Sequence, residues 1–421
     1  MIAEIIASGS EMLTPYRQDT NSLFLTEGLN DLGVVVAFKT IVGDSLDHLT
    51  AAARTALTRA DIVIFSGGLG PTEDDKTREA AAAALGLSLQ PDPALLEGLR
   101  QRFAARNIPM PPNNQKQADI LTGATLIPNE NGSASGQFLD TTFDIGFTPK
   151  RRIVILLPGP PRELKPMFTN RVKPLLAQTL PPSFLARRLL RMALLPESLV
   201  DGRTSPIYKQ FPDVDTTILA GSAEIQLHFA CVKPTREAAE ARVNELSTLI
   251  EHEMDEDIFS STGESLEEVV LLMLGLRHLT LASAESCTGG LLAGRFTGVA
   301  GSSRYFLGGA VVYSDTLKTV FAGVPPEVVE HDGPVSEPVA RLLAEGIRER
   351  TGASIGVSIT GIAGPGPGTG ADTGKPLGLV YIGIADAEGS QVKTLHLTGD
   401  RERIRFWATQ HALEFLRRHL L

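Results

Sequence analysis

At 421 residues, with 43% hydrophobic and 21% charged side chains, the chain is too long for one ordinary core and reads as two to four globular domains. A net charge of −10 argues against broad binding of a polyanion such as nucleic acid, and no apolar run approaches the length that crosses a bilayer. Two cysteines, Cys231 and Cys287, supply neither a disulfide framework nor a zinc site, so a reducing, cytoplasmic setting is expected.

Aromatics are few, at 5%, whereas the 40 glycines and 27 prolines suit an α/β fold with many functional turns. The opening Met1 to Ala7 is apolar but short and lacks a basic flank, so it reads as a buried first strand, not a leader. Thr20 or Asn21 can cap the next helix, in which Leu25, Leu29 and Leu32 recur at helical spacing until Gly33. Val34 to Val42 is a second strand, Ser45 caps a second helix, and Asp61 to Phe65 is a fully buried type of strand. Alternating strands and helices predict a parallel sheet covered on both faces, with ligands at the carboxyl ends of the strands.

One such end is Ser66-Gly67-Gly68-Leu69-Gly70-Pro71-Thr72-Glu73-Asp74-Asp75. The glycines expose amides for an anion, and Asp74 and Asp75 offer hard oxygens to a divalent metal. The competing reading is a turn whose acidic residues cap a helix beginning near Glu73. Pro109 to Ala118 brings amide donors and Lys116, which suit phosphate or ribose contacts or simply a polar helix start. Ile153 to Leu157 is a strand running into Pro158-Gly159-Pro160-Pro161, where the prolines suit a first helical turn.

Residues 1–170 thus form a first domain. From 171 to 260 the pattern is a small α+β module. Arg187 to Leu194 and Glu224 to Cys231 are strands, the second alternating cleanly, and Thr235 to Met254 is an amphipathic helix. Cys231 reads as a buried small hydrophobe and His228 as a surface residue. No Gly-x-x-Gly clamp for RNA is present, so spacer or dimer contact is the expected role.

Residues 261–421 form the last domain. Ser265 and Glu268 fit a capping box that starts an apolar helix to Leu276. Leu279 to Ala282 then leads into Glu285-Ser286-Cys287-Thr288-Gly289-Gly290, which places Ser286 where a strand ends and a helix begins. Amides at such a start can hold an oxyanion, but a serine needs a base, and Lys318 is a candidate if it is desolvated. The bland alternative is a glycine turn and a solvated lysine. Ile355 to Ile359 and Leu377 to Ala385 are strands, separated by the loop Gly361 to Gly368. Arg401 and Arg405 open the last helix at its positive end, where basic side chains are disfavoured unless an anion joins them.

Several of these motifs carry a resemblance. Ser66 to Asp75, Pro158 to Pro161, Gly9-Ser10-Glu11 and Asp19-Thr20-Asn21 resemble the molybdopterin-binding-type domain of the competence/damage-inducible protein CinA family. Ala284 to Gly290, Tyr313-Ser314-x3-Lys318, Val335-Ser336-Glu337, Thr360 to Pro365 and Gly399-Asp400-Arg401 resemble that family's C-terminal domain. The order matches over nearly the whole chain. One departure is the start, Gly9-Ser10-Glu11-Met12-Leu13-Thr14, where the family commonly has Gly-Thr-Glu-Leu-Leu followed by Gly-Gln.

The resemblance implies a three-layer molybdopterin-binding-like domain, a KH-like middle and an α/β amidohydrolase domain. It implies hydrolysis of ADP-ribose to AMP and ribose 5-phosphate with Mg²⁺, Mn²⁺ or Co²⁺. Asp74 and Asp75 would lie near the metal, and Gly67, Gly68, Thr72, Asn114 and Lys116 near the nucleotide. It also implies deamidation of nicotinamide mononucleotide without a cofactor. There Ser286 would be the nucleophile, Lys318 the base, Tyr313 an orienting group, and Thr288, Gly289 and Gly290 the oxyanion donors. Gly361, Gly364, Arg401 and Arg405 would face the nucleotide, Cys287 is the rival nucleophile, and a homodimer is expected. The alternative is a nucleotide-binding regulatory or interaction protein with only one active half.

Overall fold

The computed structural model describes residues 1–145 and 148–421. The chain divides into two compact units, Met1–Ala186 with Cys231–Arg242, and Arg187–Ala230 with Val243–Leu421.

In the first unit β1 (Ile2–Ser8), α1 (Thr20–Asn30), β2 (Val35–Val42), α2 (Leu46–Arg59), β3 (Ile62–Ser66) and α3 (Thr77–Leu85) alternate. They are followed by β4 (Leu89–Pro91), α4 (Pro93–Ala104), β5 (Asp119–Leu121), β6 (Thr125–Ile127), β7 (Gly136–Ile145), β8 (Thr148–Leu157), α5 (Pro161–Met167) and α6 (Lys173–Thr179). The main sheet has the order β2-β1-β3-β8-β7-β6. Its first four strands are parallel, but β7 and β6 add an antiparallel edge that the expectation of a parallel sheet lacked. The period of two sorts side chains to opposite faces. Ile5, Ile62 and Ile64 pack with Leu25 and Leu29 of α1, whereas Ile6, Val63 and Phe65 pack with Leu49 and Leu57 of α2. That is a three-layer sandwich.

Two local expectations need correction. The cap of α1 is Asp19, whose carboxylate takes the Ser22 amide at 2.9 Å, so neither Thr20 nor Asn21 serves. No helix starts at Glu73; α3 begins at Thr77 with no side-chain cap, and Asp75 instead closes the preceding turn.

The middle of the chain holds β9 (Phe184–Ala193), α7 (Glu197–Tyr208), β10 (Asp215–Gly221), β11 (Glu224–Lys233), α8 (Arg236–Met254) and β12 (Ile258–Ser260), in sheet order β10-β11-β9-β12. Ile225, Leu227, Phe229 and Cys231 of β11 point inward, as the alternation predicted. His228 is half-buried, not a plain surface residue, and its Nε2 pairs with Gln226 Oε1 at 3.0 Å.

Next come α9 (Leu266–Leu276), β13 (Leu281–Glu285), α10 (Leu291–Thr297), β14 (Phe306–Val311), α11 (Asp315–Ala322), α12 (Pro326–Asp332), α13 (Glu337–Thr351), β15 (Ile355–Gly361), β16 (Leu379–Ala385), β17 (Ser390–His396) and α14 (Arg401–His419). The Ser265/Glu268 capping box is present in full. The sheet order is β14-β13-β15-β16-β17, with β14, β13 and β15 parallel and the last two strands antiparallel. Leu281, Val357 and Ile359 pack with α9 and α14, and Ala282 and Ala284 with α11 and α13. β13 is therefore buried on both faces and flanked on both sides, and its carboxyl end is held rigidly. Among the described residues no helix is long and apolar enough to cross a membrane.

Candidate active site

Ser286 leaves the carboxyl end of β13, and its amide is pinned to Ile359 O at 2.8 Å. The chain then reverses through Gly289 at φ 61° and Gly290 at φ 94°, conformations that favour glycine. Glu285, only 1% exposed, points its carboxylate forward onto the start of α10. It accepts the amides of Gly290 (3.1 Å), Leu292 (3.1 Å) and Ala293 (2.8 Å). A carboxylate thus satisfies three of the orphan donors of a helix start and complements its positive end.

This corrects the expected oxyanion hole. Gly290 donates to Glu285 and Gly289 donates to Ser286 O at 3.1 Å, so neither amide is available. Among the described residues no backbone hydrogen bond uses the amides of Cys287 and Thr288; Cys287 lines the cleft beside Ser286 with its amide toward its own sulfur, and Thr288 is fully buried.

Arg405 holds the same turn from α14, donating to Cys287 O at 3.1 Å and Thr288 O at 2.7 Å. Its expected phosphate contact gives way to two backbone carbonyls. Arg401 stays at the cleft, where Ser286, Lys318, Gly361 and Gly364 also lie, around a volume of about 360 Å³. It donates to Gly364 O at 2.6 Å and to the Tyr313 hydroxyl at 3.0 Å. Tyr313 therefore braces Arg401, where the expectation had it orienting the lysine or the serine.

Lys318 is 2% exposed, and its Nζ donates to Asp315 Oδ1 at 3.2 Å. Ser286 is 7% exposed; no hydrogen bond joins its hydroxyl to Lys318 in the described structure. Catalytic hydrogen bonds are often loose before substrate binds, so shared position in the cleft is the relevant observation. Burial pushes the Cys287 thiol up to about 12, with Glu285 adding to the shift and Arg405 and Arg401 opposing it. At neutral pH it stays a thiol, a poor nucleophile.

Three further residues escaped the sequence reading. Glu285 is adjacent to the serine and is the one with a signal, a buried acid before a glycine turn. Asp372 and Lys375 lie in the long loop after Gly361. Lys375 Nζ donates to Asp332 O (2.8 Å), Val335 O (2.7 Å) and Asp372 Oδ1 (2.9 Å), which folds the loop back against the start of α13.

At the other glycine loop, Gly67 (φ 107°) and Gly68 (φ 67°) pass so close to β1 and α3 that a Cβ would lie 2.4 Å from Ser8 O and 2.2 Å from Thr77 Oγ1. Lys116 reaches this loop, but its ammonium donates to Thr72 O and Asp75 O. Asp75 Oδ2 accepts from the Thr72 amide (2.9 Å) and hydroxyl (2.6 Å). Asn114 is buried and donates to Gln117 Oε1 at 3.1 Å. Arg78, which carried no signal in the sequence, is 2% exposed and donates to Leu69 O at 3.0 Å. Burial lowers it to about 10 against the pull of Glu79, Asp119 and Asp75. Ser8 Oγ and Asn21 Oδ1 are buried beside this loop without a partner among the described residues.

Among the described residues no group of three His, Cys, Asp or Glu side chains gathers to hold an ion. Asp74 is exposed and, among the described residues, nothing donates to Asp75 Oδ1, so these are the two carboxylates the loop offers an ion. That set fits a Mg²⁺-like ion completed by substrate phosphates and water, not an ion caged by protein.

A three-layer unit with a glycine loop, followed by an α/β unit whose central strand delivers a serine to a cleft with a buried lysine, defines a two-part class of protein. The first part matches the probable molybdopterin binding domain over residues 4–178, and the second the CinA C-terminal domain over residues 263–420. The chain is 53% identical over 421 residues to a CinA-like protein of Koribacter versatilis, covering 100% of both. It is 42% identical over 421 residues to a putative competence-damage inducible protein of Moorella thermoacetica, covering 100% of this chain and 99% of the relative. The crystal structure of the protein CinA from Thermoplasma acidophilum is 32% identical, with a TM-score of 0.36 over 41% of this chain and 96% of that one. The chain belongs to the CinA family of competence/damage-inducible proteins.

Proposed function

We propose that the C-terminal cleft deamidates nicotinamide mononucleotide to nicotinic acid mononucleotide and ammonia. The observation that carries this reading is a buried serine and a buried lysine on one cleft, next to a cysteine whose thiol burial keeps protonated. Ser286 Oγ attacks the carboxamide carbon while Lys318 takes the hydroxyl proton. The carbonyl oxygen becomes an oxyanion beside the backbone of the turn that follows Ser286. Collapse breaks the C–N bond, and Lys318 returns the proton to the departing ammonia. Water, deprotonated by Lys318, then adds to the acyl-serine and releases the acid and the serine. Arg401, held by Tyr313 and Gly364 O, supplies a cation for the phosphate.

Ammonia release from nicotinamide mononucleotide in EDTA tests this. Ser286→Ala abolishes it and Cys287→Ala leaves most of it; the reverse result overturns the assignment.

For the N-terminal unit we propose hydrolysis of the pyrophosphate of ADP-ribose, giving AMP and ribose 5-phosphate. The glycine loop packed closely on β1 and α3, with Ser8 Oγ and Asn21 Oδ1 beside it unpartnered among the described residues, supports this reading. Asp74 and Asp75 would hold a divalent ion there, which would supply charge neutralisation for the pyrophosphate. The loop amides bind the phosphates, while Lys116, Gln117 and Arg78 hold the loop's shape. AMP release with Mg²⁺, Mn²⁺ or Co²⁺ tests it; binding without turnover at either site supports the regulatory reading.

A further inference from the structure

The loop between β15 and β16 places a carboxylate in the serine cleft. Asp372 is 6% exposed and lies on the cleft wall with Ser286 and Arg401. Its Oδ1 is fully occupied, taking the Val335 amide at 3.1 Å and Lys375 Nζ at 2.9 Å. Among the described residues nothing donates to Oδ2. The side chain cannot turn away, because Lys375 is itself fixed by Asp332 O and Val335 O.

A carboxylate oxygen accepts hydrogen bonds and repels anions. The group that meets Oδ2 is therefore a donor, and the phosphate of a ligand goes to Arg401 instead. A ligand with an anionic group and neighbouring hydroxyls satisfies both. We infer that Asp372 binds the ribose hydroxyls of the substrate and makes the cleft selective for ribonucleotides over deoxynucleotides. This inference rests on the reading of the cleft as the substrate site. A purely structural role, in which Asp372 only latches Lys375, is the competing account.

The two accounts separate in a comparison of nicotinamide mononucleotide with its 2′,3′-dideoxy analogue. A hydrogen bond to a charged acceptor predicts a wild-type preference of about 10- to 100-fold in kcat/KM. Asp372→Ala and Asp372→Asn bring that preference to within about threefold; the lost latch slows both substrates, and the ribonucleotide slows about 10-fold more than the analogue. Lys375→Met, which breaks the latch and keeps the carboxylate, slows both substrates and retains a preference. The inference fails if Asp372→Ala keeps the wild-type preference, or if it slows both substrates equally. Calorimetric Kd values for nicotinic acid mononucleotide and its dideoxy analogue report the same preference without turnover. A ribose preference in binding that Asp372→Ala removes therefore supports the role of Asp372 even where deamidation is not observed.

Discussion

Replacing Glu285 by alanine removes one carboxylate and strands three amides, those of Gly290, Leu292 and Ala293, at the start of α10. Each donor left unpaired in a buried site costs on the order of 1 kcal/mol or more, so the loss is about 3 kcal/mol. That is a large share of the ~5–15 kcal/mol that typically holds a domain folded. The protein's one tryptophan, Trp407, lies on α14 in the second unit, so its fluorescence reports the stability of that unit during urea unfolding. With a slope of about 3 kcal/mol/M, the midpoint falls by about 1 M. Glu285→Gln keeps the shape and one acceptor oxygen, and its midpoint lies between the two. A midpoint for Glu285→Ala within about 0.2 M of wild type, under the same slope, means that the three bonds do not hold the turn.

Other consequences follow from the same geometry. Arg405→Met loosens the turn that presents Ser286 without removing a substrate contact, so kcat drops about 10- to 100-fold while KM moves little. A raised KM with unchanged kcat would make Arg405 a ligand contact instead. The Cys287 thiol, raised to about 12, resists iodoacetamide in the folded protein at pH 8 and reacts once urea unfolds it; mass-spectrometric mapping reads both states. Burial lowers His411 to about 4, with Lys393 adding to the shift and Glu414 opposing it. The unfolded state binds the proton first on acidification, so stability is lost as pH falls from about 6.5 toward 4. His411→Gln flattens the urea midpoint across that window, and an unchanged pH profile contradicts the buried neutral imidazole.

Much of the fold was legible because its causes are local. The continuous apolar runs Ile2 to Ala7 and Ile62 to Phe65 mark strands buried on both faces, and alternate side chains meet two helical layers. Ser265 with Glu268 writes a helix start into four consecutive residues. Glycines at 67, 68, 289 and 290 announce turns that other residues adopt only under strain. The antiparallel pairing of β7 with β8 was less legible, since strand pairing joins residues that no local pattern links.

The sequence by itself pointed to the family, to α/β folds at both ends of the chain, and to the position of Ser286 at the end of a buried strand. Only the tertiary structure decided the partners. Arg405 and Thr288 are 117 positions apart, and Arg401 and Tyr313 are 88 apart, yet each pair shares a hydrogen bond. Both arginines open one helix and look alike in sequence, but one faces the cleft and the other clamps two carbonyls. Similarly, Glu285 and not a ligand claims the Gly290 amide, because a buried carboxylate must find donors and the nearest helix start supplies them. Spacing tells which side chains share an element; which donor meets which acceptor depends on how the elements pack.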